Sequence, residues 1–108
     1  MDKTEIQWIW VFNGKTNHFP SAAFTQRHLA ETWIRENKLT GVLTAYPLDI
    51  SVYDWTIQNN YFKPKTEKHT APEFIGNFSS GHQDHEHYYK GLTGIEASNL
   101  AEADGANW

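Results

Sequence analysis

"EIQWIWVFNG" (residues 5–14) decides how the chain is read. Ile6, Trp8, Trp10 and Phe12 fall on one alternation, Ile9 and Val11 on the other. β-Formers on both alternations predict a central strand with apolar side chains on each face. Asn13-Gly14 ends it with the dipeptide that most favours a two-residue hairpin. The predicted return strand is "NHFPSAAF" (17–24). Pro20 lacks an N–H, so that strand lies at an edge or ends there.

Two helices follow with legible punctuation. Thr25 is the predicted N-cap of the first, with Phe24 stapling onto Leu29. Leu29, Ala30, Trp33 and Ile34 share its apolar face, Arg27, Glu31, Arg35 and Glu36 point elsewhere, and Asn37 closes it. "GVLTAYP" (41–47) is a third strand, stopped by Pro47. In "DISVYDWTIQNN" (49–60), Ser51 caps a second helix from Val52 to about Asn59, Asp54 sits near its positive end, and Ile50 staples onto Trp55. "KPKTEKHTAP" (63–72) is a loop. "EFIGNFSS" (73–80) and "DHEHYY" (84–89) are the predicted closing hairpin. The order β-β-α-β-α-β-β predicts an α+β domain over residues 1–90, with a largely antiparallel sheet of about five strands and two helices on one face. Residues 91–108 form an acidic, Ala/Gly-rich tail with Ile95, Leu100 and Trp108 as anchors. Thr93 and Glu96 there suit a capping box, but no apolar stripe follows, so a loosely docked or disordered tail is expected.

A chain of 108 residues is long enough for one core, and 15% aromatics compensate for a lean 39% of hydrophobic residues. There is no cysteine, which excludes disulfides and thiolate chemistry. No signal-like or membrane-spanning run occurs, so a cytoplasmic protein is expected, with no membrane partner. The net charge of −4 is uneven: bases in the second half cluster at Lys63, Lys65 and Lys68, and acids prevail from Glu73 onward. That distribution argues against nucleic acid and for a basic protein partner.

"GHQDHEHYYKG" (81–91) concentrates the chemistry, with three of the six histidines in six positions. On a strand, His85 and His87 share a face with Gln83 and Tyr89, whereas His82, Asp84 and Glu86 lie opposite. His-X-His is a workable zinc chelate, with His18 or His69 as the candidate third ligand. An ordinary strand face accounts for the same residues with less. Ser79-Ser80 beside His82 and Asp84 shows no strained elbow or oxyanion donor, and Asp49 and Asp54 are explained by capping. "NGK" (13–15) lacks the rest of a phosphate loop. No catalytic residue is assigned. Trp10, Trp33 and Trp55 are candidates to line an aromatic ligand pocket. Glu73, Asp84, Glu86 and Tyr88 are candidates for an acidic partner-binding surface.

With "WVFNGKTNHFPSAAF", "AETWIRENKLTGVLTAYPLDISVYDW" and "FSSGHQDHEHYY" in view, the chain resembles a family of small bacterial proteins of unknown function. Its marks are the W-V-F-N-G opening, Y-P-L-D, V-Y-D-W and a His-rich closing strand, over about residues 6–90. The resemblance implies a small cytosolic bacterial domain and no particular reaction. The expected function is a non-enzymatic protein-binding module, of the kind an immunity-type inhibitor of a basic protein or toxin represents. The alternatives are a metal-binding protein, with zinc as its ion and no other cofactor, and a small-ligand binder. A free sheet edge would also allow a homodimer.

Overall fold

A computed structural model describes residues 5–103. Five strands, β1 (Trp8–Gly14), β2 (Ala22–Phe24), β3 (Gly41–Pro47), β4 (His85–Tyr89) and β5 (Leu92–Thr93), form one sheet in the order β2-β1-β3-β4-β5. Every neighbouring pair is antiparallel. Four helices accompany it, α1 (Arg27–Glu36), α2 (Val52–Gln58), α3 (Pro72–Gly76) and α4 (Gly94–Ala103), with a 3-10 turn at Glu67–Thr70. This is the expected α+β architecture. No helix among the described residues is long and apolar enough to cross a membrane.

β1 is the central strand its composition predicted, but its hairpin differs. Asn13 and Gly14 stay in the ladder opposite Val42 and Gly41, and the turn moves to Lys15 and Thr16, closed by Asn17 N–H donating to Gly14 O. β1 pairs with β3 over its full length, which outweighs the local turn preference. Its pairing with β2 is only three residues long and begins after Pro20. Gly41 is required at this register: a Cβ there would meet Asn13 O and lie 2.7 Å from Phe12 Cζ.

α1 begins one residue later than Thr25 predicts. Gln26 occupies the N-cap and makes no side-chain capping bond. Leu29 lies at the margin of the inward stripe, about 100° around the helix from Ala30, and is exposed, while Ala30, Trp33 and Ile34 face the sheet. Phe24 packs on Trp33 instead of stapling onto Leu29.

At its C-terminus Asn37 is the cap, its amide donating to Trp33 O. Lys38 turns into the left-handed region (φ 52°), and Leu39 N–H reaches back to Ile34 O. α2 ends by the same grammar: Asn59 bonds Trp55 O, Asn60 takes φ 60°, and Tyr61 N–H reaches Thr56 O. Both are Schellman closures, with Asn as cap and a following hydrophobic residue folding back. Ser51 caps the start of α2 as expected, accepting from Asp54 N–H at 2.9 Å.

Where a strand is predicted over 73–80, the structure has the short helix α3 (Pro72–Gly76), followed by a turn at Asn77 and irregular chain. The four-residue spacing of Phe74 and Phe78 suits one face of a strand or of a helix; in the structure Phe74 lies in α3 and Phe78 just beyond it. Pro72 sits in the first turn, and the Asn77 amide returns to Glu73 O, which decides for the helix. Both phenylalanines pack on Tyr53 with Phe62, making an aromatic cluster beside α2. The fifth strand is β5, beyond Lys90, where the sequence reading placed a tail. The Thr93–Glu96 capping box forms reciprocally, at 3.0 and 3.2 Å, and opens α4. Ile95 and Leu100 are exposed, and Trp108 lies outside the described residues.

Candidate functional site

The sheet has two unlike faces, and β3 displays the contrast directly. Gly41, Leu43, Ala45 and Pro47 are buried, while Val42, Thr44 and Tyr46 between them are half-buried. Register places Phe12 and Tyr88 on the buried side, opposite Leu43 and Gly41. There they join Ala30 and Ile34 of α1 in the core. α2 covers the other end of this face, through Trp55 edge-on to Trp8 at 5.1 Å. α4 is tied to α1 by an Arg35–Glu96 pair at 2.6 Å.

The second face carries the odd positions of β1 and β4 and the even positions of β3. Ile9 lies opposite Tyr46, Val11 opposite Thr44, Val42 opposite His87, and Thr44 opposite His85. None of these side chains is buried, and His85, His87 and Tyr89 are exposed. The open face thus presents cross-strand rows of aliphatic, aromatic and imidazole groups.

The two histidines sit with ring centres 5.5 Å apart. Nδ1 of His85 lies 2.8 Å from the backbone oxygen of Gln83. A carbonyl only accepts, so in the neutral ring Nδ1 carries the proton and Nε2 the lone pair. Gln83 is a residue that sequence reasoning missed as a positioning group. It is 3% exposed, its amide donates to Ala45 O at 3.0 Å, and its side-chain oxygen accepts from Ser80 N–H. A glutamine between histidines carries no sequence signal of burial. Its role depends on the β3 backbone 38 residues away.

The other candidates disperse. His69 packs against Phe62 and Phe74, and its Nδ1 accepts from Lys65 N–H; His18 lies exposed in the loop after β1. Among the described residues no three His, Asp or Glu side chains gather as a metal group, so neither joins the His85–His87 pair. Trp10 lies under the Arg27 guanidinium, 4.8 Å from its ring centre. Trp33 packs on Phe12 and Phe24, and Trp55 on Trp8 and Tyr61. Trp10 and Trp33 thus border one core and Trp55 another cluster. An open cleft of about 570 Å³ lies elsewhere, beside α3, lined by Lys68, Glu73, Phe74 and Phe78.

Of the acidic set, Tyr88 is a core residue at 4% exposure, and burial, with the Glu31 charge adding, pushes its phenol up. Glu86 is half-buried, 4.0 Å from Arg27 Nη2. Asp84 and Glu73 are exposed, the latter on α3. Ser80 Oγ lies 3.3 Å from His82 Nδ1, but the same oxygen accepts from His82 N–H in a turn, and His82 stacks on Tyr61 at 4.1 Å.

Together these features define a small α+β domain, one sheet with helices on one face and an open second face bearing a histidine pair. The chain matches a domain of unknown function (DUF7710) over residues 9–94, and it belongs to that family. The matched span runs from β1 through β5 and so includes the open face. No curated protein and no solved structure matches it.

Proposed function

We propose that the chain is a non-enzymatic protein-binding module whose working surface is the open sheet face, and that its partner is a basic protein of the kind an immunity-type inhibitor neutralises. The observation that carries this reading is the face itself: Ile9, Val11, Val42 and Tyr46 stand beside His85, His87 and Tyr89 with none of them buried. Contiguous apolar and aromatic groups rimmed by polar ones suit a protein surface better than a small molecule. The net charge of −4 favours a basic partner, and the chain keeps exposed acids at Asp84 and Glu73, off the open face, to attract it at long range.

The test is native mass spectrometry of untagged protein expressed at low level in a bacterial host. A bound basic protein is expected, released by added salt. The complex is expected to disappear in Val42→Lys and Tyr46→Lys variants whose melting is unchanged. Capture that is equal in both variants, or an acidic partner, contradicts the reading.

A further inference from the structure

We propose that His85 and His87 form half of a zinc site, completed by the same two residues of a second copy packed open face to open face. The pair already has the spacing of a chelate. Two imidazoles on one tetrahedral zinc, each bound at about 2.0–2.1 Å, hold their ring centres about 5 Å apart. The observed separation is 5.5 Å, between two exposed side chains.

The supporting atoms are also set. A zinc-ligating histidine commonly donates its other ring N–H to a carbonyl, which fixes tautomer and orientation. His85 does this with Gln83 O at 2.8 Å. Gln83 is in turn held by its buried amide, bonded to Ala45 O and Ser80 N. Nε2 of His85 is left as the ligand atom.

Two ligands do not make a structural zinc site, which takes four. Among the described residues no third His, Asp or Glu joins the pair. A two-fold axis through the metal supplies the missing two in one operation, because an isologous interface applies the same patch from both copies. The distances permit it. Sheets packed face to face lie about 10 Å apart, placing a central ion about 5 Å from each, within the reach of an imidazole.

Pairing by edges is less well provided for. The edge strands β2 and β5 are three and two residues long. The open face instead offers Val42 beside His87, and Thr44 and Val11 in the next row, to be covered with the metal. Each copy carries −4, which opposes association of two copies, and a divalent cation bound between them offsets part of that repulsion. The pair is therefore zinc-dependent. If the open face also holds the basic partner, zinc pairing and partner binding exclude each other. That consequence rests on the function proposed above, whereas the zinc site does not.

The experiment is a titration of metal-free protein with zinc chloride alone, read by sedimentation velocity and by bound metal per chain. The expected result is one zinc per two chains, a doubling of mass, and full reversal by EDTA. Cobalt(II) in place of zinc is expected to give the intense visible bands of a tetrahedral site. His87→Ala and His85→Ala are expected to abolish pairing, and His18→Ala and His69→Ala to leave it intact. One zinc per chain at unchanged mass, no zinc uptake, or pairing that survives EDTA or His87→Ala overturns the proposal. Since no partner protein is present, failure here leaves the partner reading standing, and loss of partner capture leaves this one standing.

Discussion

Leu43 and Val42 are neighbours in one strand, yet Leu43 is fully buried under α1 and Val42 is half-exposed on the other side. Across the sheet the same division separates Phe12 from Val11 and Tyr88 from His87. Apolar character alone does not distinguish the two faces, because β1 carries it on both. What distinguishes them is which face α1 and α2 reach. The covered face supplies stability, and the open one is the face we propose for recognition.

The sharpest way to break this comparison is a paired truncation. Leu43→Ala is expected to lose about 2–5 kcal/mol, since it leaves a cavity among Phe12, Ile34 and Tyr88. Val42→Ala is expected to lose under about 1 kcal/mol. Urea unfolding reads both, and equal losses would mean that the second face is covered as well.

The sequence showed β1, β3, β4 and the two principal helices because their signals are local. Alternation in β1 and β3, Ser51 before α2, and the asparagines that end both helices all act within a few residues. Where a local signal was ambiguous, tertiary contacts decided. The spacing of Phe74 and Phe78 fits a strand or a helix equally, and in the structure Phe74 in α3 and Phe78 just past it both pack on Tyr53. The histidine pair was legible by period alone, and so was its separation from Glu86 and Tyr88. That Tyr88 belongs to the core was not, because only α1 makes that side of β4 the inside.

Gln83 sharpens the comparison from the seam between the faces. Gln83→Leu strands Ser80 N–H and Ala45 O in a buried site and is expected to cost about 1–3 kcal/mol. It should also free the His85 carbonyl partner, seen as a faster exchange of the imidazole N–H by NMR. Unchanged stability would show that water replaces the amide there.

The helices on the covered face differ at their starts, and this gives a smaller effect of either sign. Ser51→Ala at α2 is expected to lose about 1 kcal/mol, whereas Gln26→Ser at α1, which has no side-chain cap, is expected to gain up to about 1 kcal/mol. Thermal melts of the two variants, shifted in opposite directions, check it.

The smallest effect is expected where α4 meets α1. The Arg35 guanidinium, helped by the capping bonds of Thr93, holds the Glu96 carboxyl down at about 2. A lowered pKa stabilises the folded form above the ordinary carboxylate range, and that contribution fades as pH falls through about 2. Both side chains are more than a third exposed, so solvent screening makes the effect slight. Carboxyl chemical shifts followed from pH 5 downward, in the protein and in Arg35→Ala, are expected to show the Glu96 midpoint rise towards its usual value in the variant.

Hydroxyl-radical footprinting of the metal-free monomer, read residue by residue by mass spectrometry, tests the division of the sheet most directly. His87 and Tyr89 are exposed and Tyr88 between them is buried, so strong oxidation of the outer two with protection of Tyr88 is expected. Protection of all three in the monomer would contradict the account, because the face assigned to recognition would then already be covered by the chain itself.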